Sequence, residues 1–412
     1  MMLREYELGD VMNATQLHHV VNNILRERNI SGASWCVAAV AMKPANEGLA
    51  GFLGDHIKMQ LTLKCNDDQF TAHLFVKSMP LHNAPKAHFI DDNNFFRREM
   101  IMYQLFEEFD GEFALCIYAS EWRPKVYLCD ERIVVMPDLT YAGYVTIDKM
   151  HPLDMQHVTR ALHTIAHYHA AYTNCSAARR RRGIAHFHEV HQRILAEPSY
   201  VDCSWLRAGA TLVVNFLDEY SSIKGTDAGA LVECFVMLCE RARVYDDTLN
   251  VIIHKDLWSN NLMFKYANGA PDYQCVRCAP PAFDVMVFMY LTTDRTLRRA
   301  CESTMLRVYY EEFQRNLDER AKEETALMGY GFDAFTGMCE RARGFGLLVA
   351  AMIFPYILMD GRAAVSTFDD PNTFERMLEV DRSAPVIAHA ALNTRYKDRM
   401  LEIFEEIVQY SH

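Results

Sequence analysis

The periodicity of this chain changes once, near residue 138, and that change constrains the fold more than any other feature. Residues 57–65 alternate cleanly, with Ile57, Met59, Leu61, Leu63 and Cys65 facing one way and Lys58, Gln60, Thr62 and Lys64 the other. A period of two marks a half-buried strand. The apolar run at 34–42 suits a buried strand, and further strands fit 70–78, 113–119 and 126–136. Helical spacing appears at 14–29 and 94–109. After residue 138 it dominates, at about 152–172, 184–196, 205–222, 226–243, 282–294, 298–316, 333–359 and 372–410; only 251–266 reads as short strands and loop. Segregated strands and helices predict an α+β chain: an N-terminal antiparallel sheet lobe, 1–138, followed by a larger helical lobe, 139–412.

Composition removes several function classes. Half of the residues are hydrophobic and 23% are charged, as in a globular protein. A formal charge of -12 disfavours nucleic acid as a partner, because phosphate binding needs a basic field. The one basic run, Arg179–Arg182, reads as a solvated connection. Twelve cysteines are scattered along the chain behind a mixed, charged start rather than a signal-like one, so reduced thiols and a cytoplasmic location are expected. Cys275 and Cys278 have CxxC spacing, but a structural zinc site needs a second ligand pair, and Cys234 and Cys239 are poorly spaced for one. The longest uncharged stretch, 344–359, is shorter than the ~20 residues of a membrane span and contains Pro355, so a buried, kinked helix is expected.

The chemistry concentrates at 251–264. Two apolar runs, Val251-Ile252-Ile253 and Leu262-Met263-Phe264, bracket a polar loop holding His254, Asp256 and Asn261. Asp and Asn five residues apart on a fixed loop suit phosphoryl transfer: the carboxylate can orient a hydroxyl and accept its proton, and the amide oxygen can coordinate Mg²⁺. The spacing follows the kinase pattern H-x-D-x-x-x-x-N; the plain alternative is a polar loop between buried strands. Asp272, in Asp272-Tyr273-Gln274, stands where a second metal-binding carboxylate would come. Asp284 opens an apolar helix and is expected to cap backbone N–H groups near the loop. Upstream, Glu99 falls on the apolar series Phe95, Met102, Phe106, Phe109, where a carboxylate is costly without a cation. Lys77, on the strand face opposite Leu74 and Val76, is the candidate partner, and such a pair could hold nucleotide phosphates; a surface lysine and a glutamate at the stripe's edge are the bland alternative. Gly48, Gly51 and Gly54, between two strands, would let backbone N–H groups approach phosphate, or form an ordinary hairpin.

These residues resemble the ecdysteroid kinase-like family of arthropods, within the wider choline kinase and aminoglycoside phosphotransferase group. The match lies in His254-Lys255-Asp256-Leu257-Trp258-Ser259-Asn260-Asn261, Asp272-Tyr273-Gln274, the segment Arg277 to Asp284, Met136-Pro137-Asp138-Leu139 and Ala166-His167-Tyr168-His169-Ala170. The resemblance implies a bilobal protein-kinase-like fold with ATP between the lobes and a small-molecule hydroxyl as acceptor. By position, Asp256 would be the base beside His254, Asn261 and Asp272 would bind Mg²⁺, Lys77 held by Glu99 would contact the α- and β-phosphates, and Met136, Pro137, Asp138 and Leu139 would form the adenine hinge.

Three departures stand out. Lys255 replaces the family's glycine. Pro137 replaces a glutamate, although its carbonyl and the Leu139 N–H remain for adenine. Asn268-Gly269-Ala270-Pro271 replaces an apolar strand, so the hairpin after Leu262 is expected to lack most of its return strand. A sterol-like or xenobiotic alcohol is the expected acceptor. A weakened kinase acting by ligand or protein binding, and a choline or aminoglycoside kinase, are the alternatives; the sequence leaves the oligomeric state open. A protein kinase is disfavoured by the lack of an Ala-Pro-Glu segment, and a serine hydrolase by the contexts of Ser204 and Ser259. His163 and His167 share a helical face that reads as solvated, whereas His169 reads as a core histidine.

Overall fold

The computed structural model describes residues 6–30, 34–45, 54–65, 68–110, 123–195, 203–265, 268–271 and 275–411, with backbone only at 268–271. Five strands form one antiparallel sheet: β1 (Trp35–Pro44), β2 (Asp55–Cys65), β3 (Asp68–Ser78), β4 (Leu128–Cys129) and β5 (Ile133–Pro137), in the order β1-β2-β3-β5-β4. The expected alternation in β2 is present: Ile57, Met59, Leu61, Leu63 and Cys65 are all buried.

Register sorts the two faces. Ile57 pairs with Val76, and Val76 with Val135; cross-strand partners point the same way, so these side chains build one core. Helix Ala14–Glu27 covers it with Val20, Val21, Ile24 and Leu25, and starts at a capping box between Asn13 and Gln16. Lys77 pairs with Val134, and Phe75 with Met136, on the other face. There helix Phe95–Asp110 packs, and its apolar side chains continue into the large core of the helical part.

Several expected elements are corrected. β1 buries no residue, because it is the sheet's edge strand rather than an interior one. The single strand expected at 126–136 is a hairpin of β4 and β5, turned where the Asp130 carboxylate accepts the N–H groups of Arg132 and Ile133. The strand expected at 113–119 lies outside the described residues. The helix expected at 184–196 is two single turns, and 372–410 divides into Phe374–Glu379, Ser383–Leu392 and Thr394–Ser411.

Among the helices that follow, Met155–Arg181 is long and capped by Asp154, and Ala282–Thr292 is buried at every position against Phe332–Ile357. Pro355 sits in the last turn of that partner helix, which ends two residues later. No single helix among the described residues is long and apolar enough to cross a membrane; Phe332–Ile357 passes that test only together with Gly361–Phe368, to which it is bent by 99°.

Two small ribbons emerge from this helical mass. β6 (Val251–Ile253) pairs with β9 (Arg277–Ala279), and β7 (Leu262–Lys265) with β8 (Asn268–Pro271), both antiparallel. The expected loss of the return strand is therefore corrected: Leu262 faces Pro271 and Lys265 faces Asn268 across a complete four-residue ladder. Backbone pairing needs no apolar side chains, and proline is tolerated at a strand end.

Candidate active site

β3 ends by delivering Lys77 to the sheet face that meets helix Phe95–Asp110. Its Nζ lies 2.5 Å from Glu99 Oε2, with the lysine 2% and the glutamate 0% exposed. A buried pair of this kind is costly to break, since removing one partner strands a charge. The Phe96 ring lies 5.6 Å from the ammonium. Gly54 passes directly above. It has φ +84°, and a Cβ there would fall 2.9 Å from the Ser78 carbonyl oxygen and 3.6 Å from Lys77 Cγ. Only glycine fits both the backbone angle and the approach. Gly48 and Gly51 lie outside the described residues.

Beside Glu99, the Arg98 Nη1 donates to the Val276 carbonyl at 3.2 Å, tying this helix to the strand segment that leads into β9. Two further bonds join the same side of the molecule to the helical part: Arg179 to Glu108 at 2.6 Å, and buried Lys86 to Asp369 at 3.0 Å.

The connecting segment begins at Pro137. Leu74 faces Pro137 while the Asp138 N–H donates to the His73 carbonyl at 2.9 Å, which places Pro137 in a non-hydrogen-bonded pair. Its missing N–H therefore costs the ladder nothing, and the Pro137 carbonyl points away from β3. Asp138 is held from above by Lys58 Nζ at 3.3 Å, and the exposed Tyr141 ring stacks on His73 at 3.6 Å. Val145 and Phe264 exchange two backbone hydrogen bonds, pinning β7 to this segment.

The loop between β6 and β7 is shaped by two carboxylates. Asp284, fully buried at the start of helix Ala282–Thr292, accepts the His254 N–H through Oδ2 at 2.6 Å and the Lys255 N–H through Oδ1 at 2.7 Å. This is the capping role expected for it. The Asp256 N–H donates to His254 Nδ1 at 3.2 Å. Asn261, reached through a tight turn at Ser259–Asn261, donates its Nδ2 to both the carbonyl and Oδ2 of Asp256, each at 2.8 Å. The amide presents its nitrogen rather than its oxygen to Asp256, and the carboxylate is fixed in orientation.

Lys255 has φ +65°, the left-handed region that a side chain enters at a cost of about 1–3 kcal/mol. A glycine in this slot would enter it freely. The lysine is also buried, and burial, reinforced by Arg98 and Arg277, pulls its ammonium down to about 7. Burial, with Asp256 close by, pushes the neighbouring Cys275 thiol up to about 12.

His169 is a satisfied core histidine, as expected: it is fully buried between Tyr309 and Asp284. The solvated face expected for His163 and His167 is corrected in part, because His167 Nε2 meets Glu312 Oε1 at 2.7 Å; burial lowers His163. Cys275 and Cys278 are free thiols. Among the described residues no group of three or more His, Cys, Asp or Glu could hold a metal ion. Asp272, Tyr273 and Gln274 lie outside the described residues. Sequence reasoning missed Arg98 and Tyr309. Only Tyr309 left a signal, the apolar series Met305, Tyr309, Phe313 at helical spacing.

No curated protein matches the sequence. Solved structures similar to the chain include an aminoglycoside phosphotransferase with ADP bound, at 11% identity over 94% of this chain and 99% of that one, TM-score 0.37. A Plasmodium vivax ethanolamine kinase matches at 9% identity over 97% and 98%, TM-score 0.36. A Mesorhizobium loti choline/ethanolamine kinase family protein matches at 10% over 91% and 100%, TM-score 0.36. Likeness this distant says nothing of substrate. The sequence match is more direct: residues 50–321, well over half of the chain, fit the model of the ecdysteroid kinase-like family, and the protein is a member of that family.

Proposed function

We propose that the protein is an ATP- and Mg²⁺-dependent phosphotransferase, acting in the cytoplasm on a hydroxyl of a small hydrophobic molecule such as an ecdysteroid, another sterol or a xenobiotic. The observation that carries this reading is the pair of hydrogen bonds that Asn261 Nδ2 donates to the Asp256 carbonyl and carboxylate. It presents one carboxylate to an acceptor hydroxyl and one amide oxygen to a hard cation, which is the division of labour phosphoryl transfer needs.

In this reading 1–138 form the nucleotide-binding lobe and 139–412 the acceptor lobe. Adenine would bond the Pro137 carbonyl and the Leu139 N–H beside Met136 and Asp138. The loop of Gly48, Gly51 and Gly54 would cover the phosphates, and Lys77, oriented by Glu99, would contact them. Asn261 and Asp272 would hold Mg²⁺, which supplies neutralising charge to the phosphate oxygens. Asp256 takes the acceptor's proton, and His254 fixes the Asp256 backbone through its ring. The paired β8 supports the catalytic reading over a purely ligand-binding one, because a complete hairpin carries the chain from β7 on to the segment that holds Asp272.

The test is Mg²⁺-dependent ATP turnover across ecdysteroids, xenobiotic alcohols, choline and aminoglycosides, with product identified by mass. Turnover with a sterol or xenobiotic alcohol, lost in Asp256→Asn, is expected. ATP with Mg²⁺ should raise the melting temperature, and Asp272→Ala should abolish the shift. No turnover on any acceptor, with Asp256→Asn indistinguishable from wild type, would sink the proposal.

A further inference from the structure

Behind the catalytic loop lies a chain of polar groups with no access to solvent. The Tyr309 hydroxyl, on helix Arg295–Asn316, is 2.7 Å from His169 Nδ1, and His169 Nε2 is 3.1 Å from Asp284 Oδ2. The same Oδ2 accepts the His254 N–H, and its partner oxygen accepts the Lys255 N–H. Tyr309, His169 and Asp284 are each 0% exposed and come from three different helices.

The donors along this chain can be assigned by elimination. Both Asp284 oxygens already accept main-chain N–H groups, which can only donate, so the favourable role for His169 Nε2 is also to donate. A neutral imidazole has one N–H, so Nδ1 is then the acceptor and the Tyr309 hydroxyl the donor. Burial holds that phenol well above its ordinary value, so it keeps its proton throughout the working range. Without the hydroxyl, Nδ1 loses its donor and the imidazole is held at one end only, by Asp284.

We propose that Tyr309 is a positioning residue for the catalytic loop: its hydroxyl donates to His169 Nδ1 and holds the imidazole ring in the orientation that donates to Asp284, and Asp284 in turn holds the two amides preceding Asp256. Its effect on turnover rests on the phosphotransfer reading above; its effect on the imidazole does not. The tyrosine ring also packs on Phe335, with centroids 5.1 Å apart, so Tyr309→Phe retains the packing and removes only the oxygen.

The experiment combines nitrogen-15 spectra of the histidines with steady-state kinetics on the full chain. In wild type, His169 should carry its proton on Nε2. In Tyr309→Phe the proton should stay on Nε2 while the Nδ1 resonance moves toward that of an acceptor nitrogen with no donor, and kcat should fall about five- to tenfold, the factor one neutral hydrogen bond is worth, with KM for ATP unchanged. His169→Gln, which keeps a donor and an acceptor, should retain more kcat than His169→Leu. A wild-type His169 that is Nδ1-protonated or doubly protonated overturns the inference. So does a Tyr309→Phe variant that matches wild type in its Nδ1 resonance or in kcat, even if its melting temperature falls, since that is a packing effect alone. If wild type turns over no acceptor, the phosphotransfer reading fails, and the nitrogen-15 result still decides this one.

Discussion

Replacing Asp284 with asparagine keeps the shape of the side chain and exchanges one acceptor oxygen for a donor. In the better of the two amide orientations the remaining oxygen stays at the Oδ2 position and continues to serve the His254 N–H and His169 Nε2. The new NH₂ group then faces the Lys255 N–H, donor against donor, where the bond measured 2.7 Å. The loss is one hydrogen bond to a charged acceptor, about 1.5–3 kcal/mol, plus about 1–3 kcal/mol for a buried N–H left unsatisfied. The terms overlap, so roughly 3–4 kcal/mol is expected, a large share of a typical folding free energy of about 5–15 kcal/mol. Urea unfolding followed by circular dichroism measures it. If the loss falls on the reactive arrangement of the loop, kcat should drop roughly 100- to 1,000-fold, because about 1.4 kcal/mol is a factor of ten. A destabilisation below about 0.5 kcal/mol would show that the carboxylate does not hold the loop, and the assignment of Asp284 as its anchor would be wrong.

Three other outcomes follow from the same geometry. Glu99→Ala should destabilise the protein by about 3–5 kcal/mol by stranding the Lys77 charge, whereas Lys77→Met combined with Glu99→Leu should recover most of that stability without recovering turnover; denaturant curves and ATP assays on both variants separate pairing from function. Gly54→Ala should lower the melting temperature and raise KM for ATP, because the residue sits at φ +84° against the Ser78 carbonyl; unchanged values would mean the strand connection can shift aside. Lys255, at about 7 in the folded protein against 10.5 unfolded, binds fewer protons folded than unfolded between those values. Its contribution therefore makes stability rise with pH from about 7 to about 10, and Lys255→Met should remove that part of the slope; a variant with the wild-type pH dependence would contradict the assignment.

The sequence made the site more legible than the fold around it. The period of two in β2, the strand position of Lys77 and the helical series around Glu99 each follow from side-chain direction, and together they anticipate a pair that the structure closes at 2.5 Å. Asp256, Asn261 and Asp284 were readable because their spacing is short and their chemistry specific. What stayed hidden depends on backbone. β8 carries no apolar pattern, being Asn-Gly-Ala-Pro, and exists because β7 offers it a ladder. β1 looks like an interior strand, yet apolar content does not reveal which strand lies at a sheet's edge. The left-handed backbone of Lys255 is invisible in a lysine and would have been suggested only by a glycine. Arg98 and Tyr309 act across 178 and 140 residues of chain, a distance that periodicity cannot read.

The Lys86–Asp369 pair spans 283 residues, with the Asn83 side chain also donating to the Asp369 carbonyl. During synthesis, the helix that carries Lys86 waits for that carboxylate until most of the chain has left the ribosome. Contacts of such long separation are slow to form, and surface that they will cover stays exposed meanwhile. The nucleotide-side half of the molecule should therefore mature late and be a preferred client of chaperones on the ribosome, and nascent chains ending before residue 369 should be cleaved by protease near residues 84–92, where the full-length protein resists.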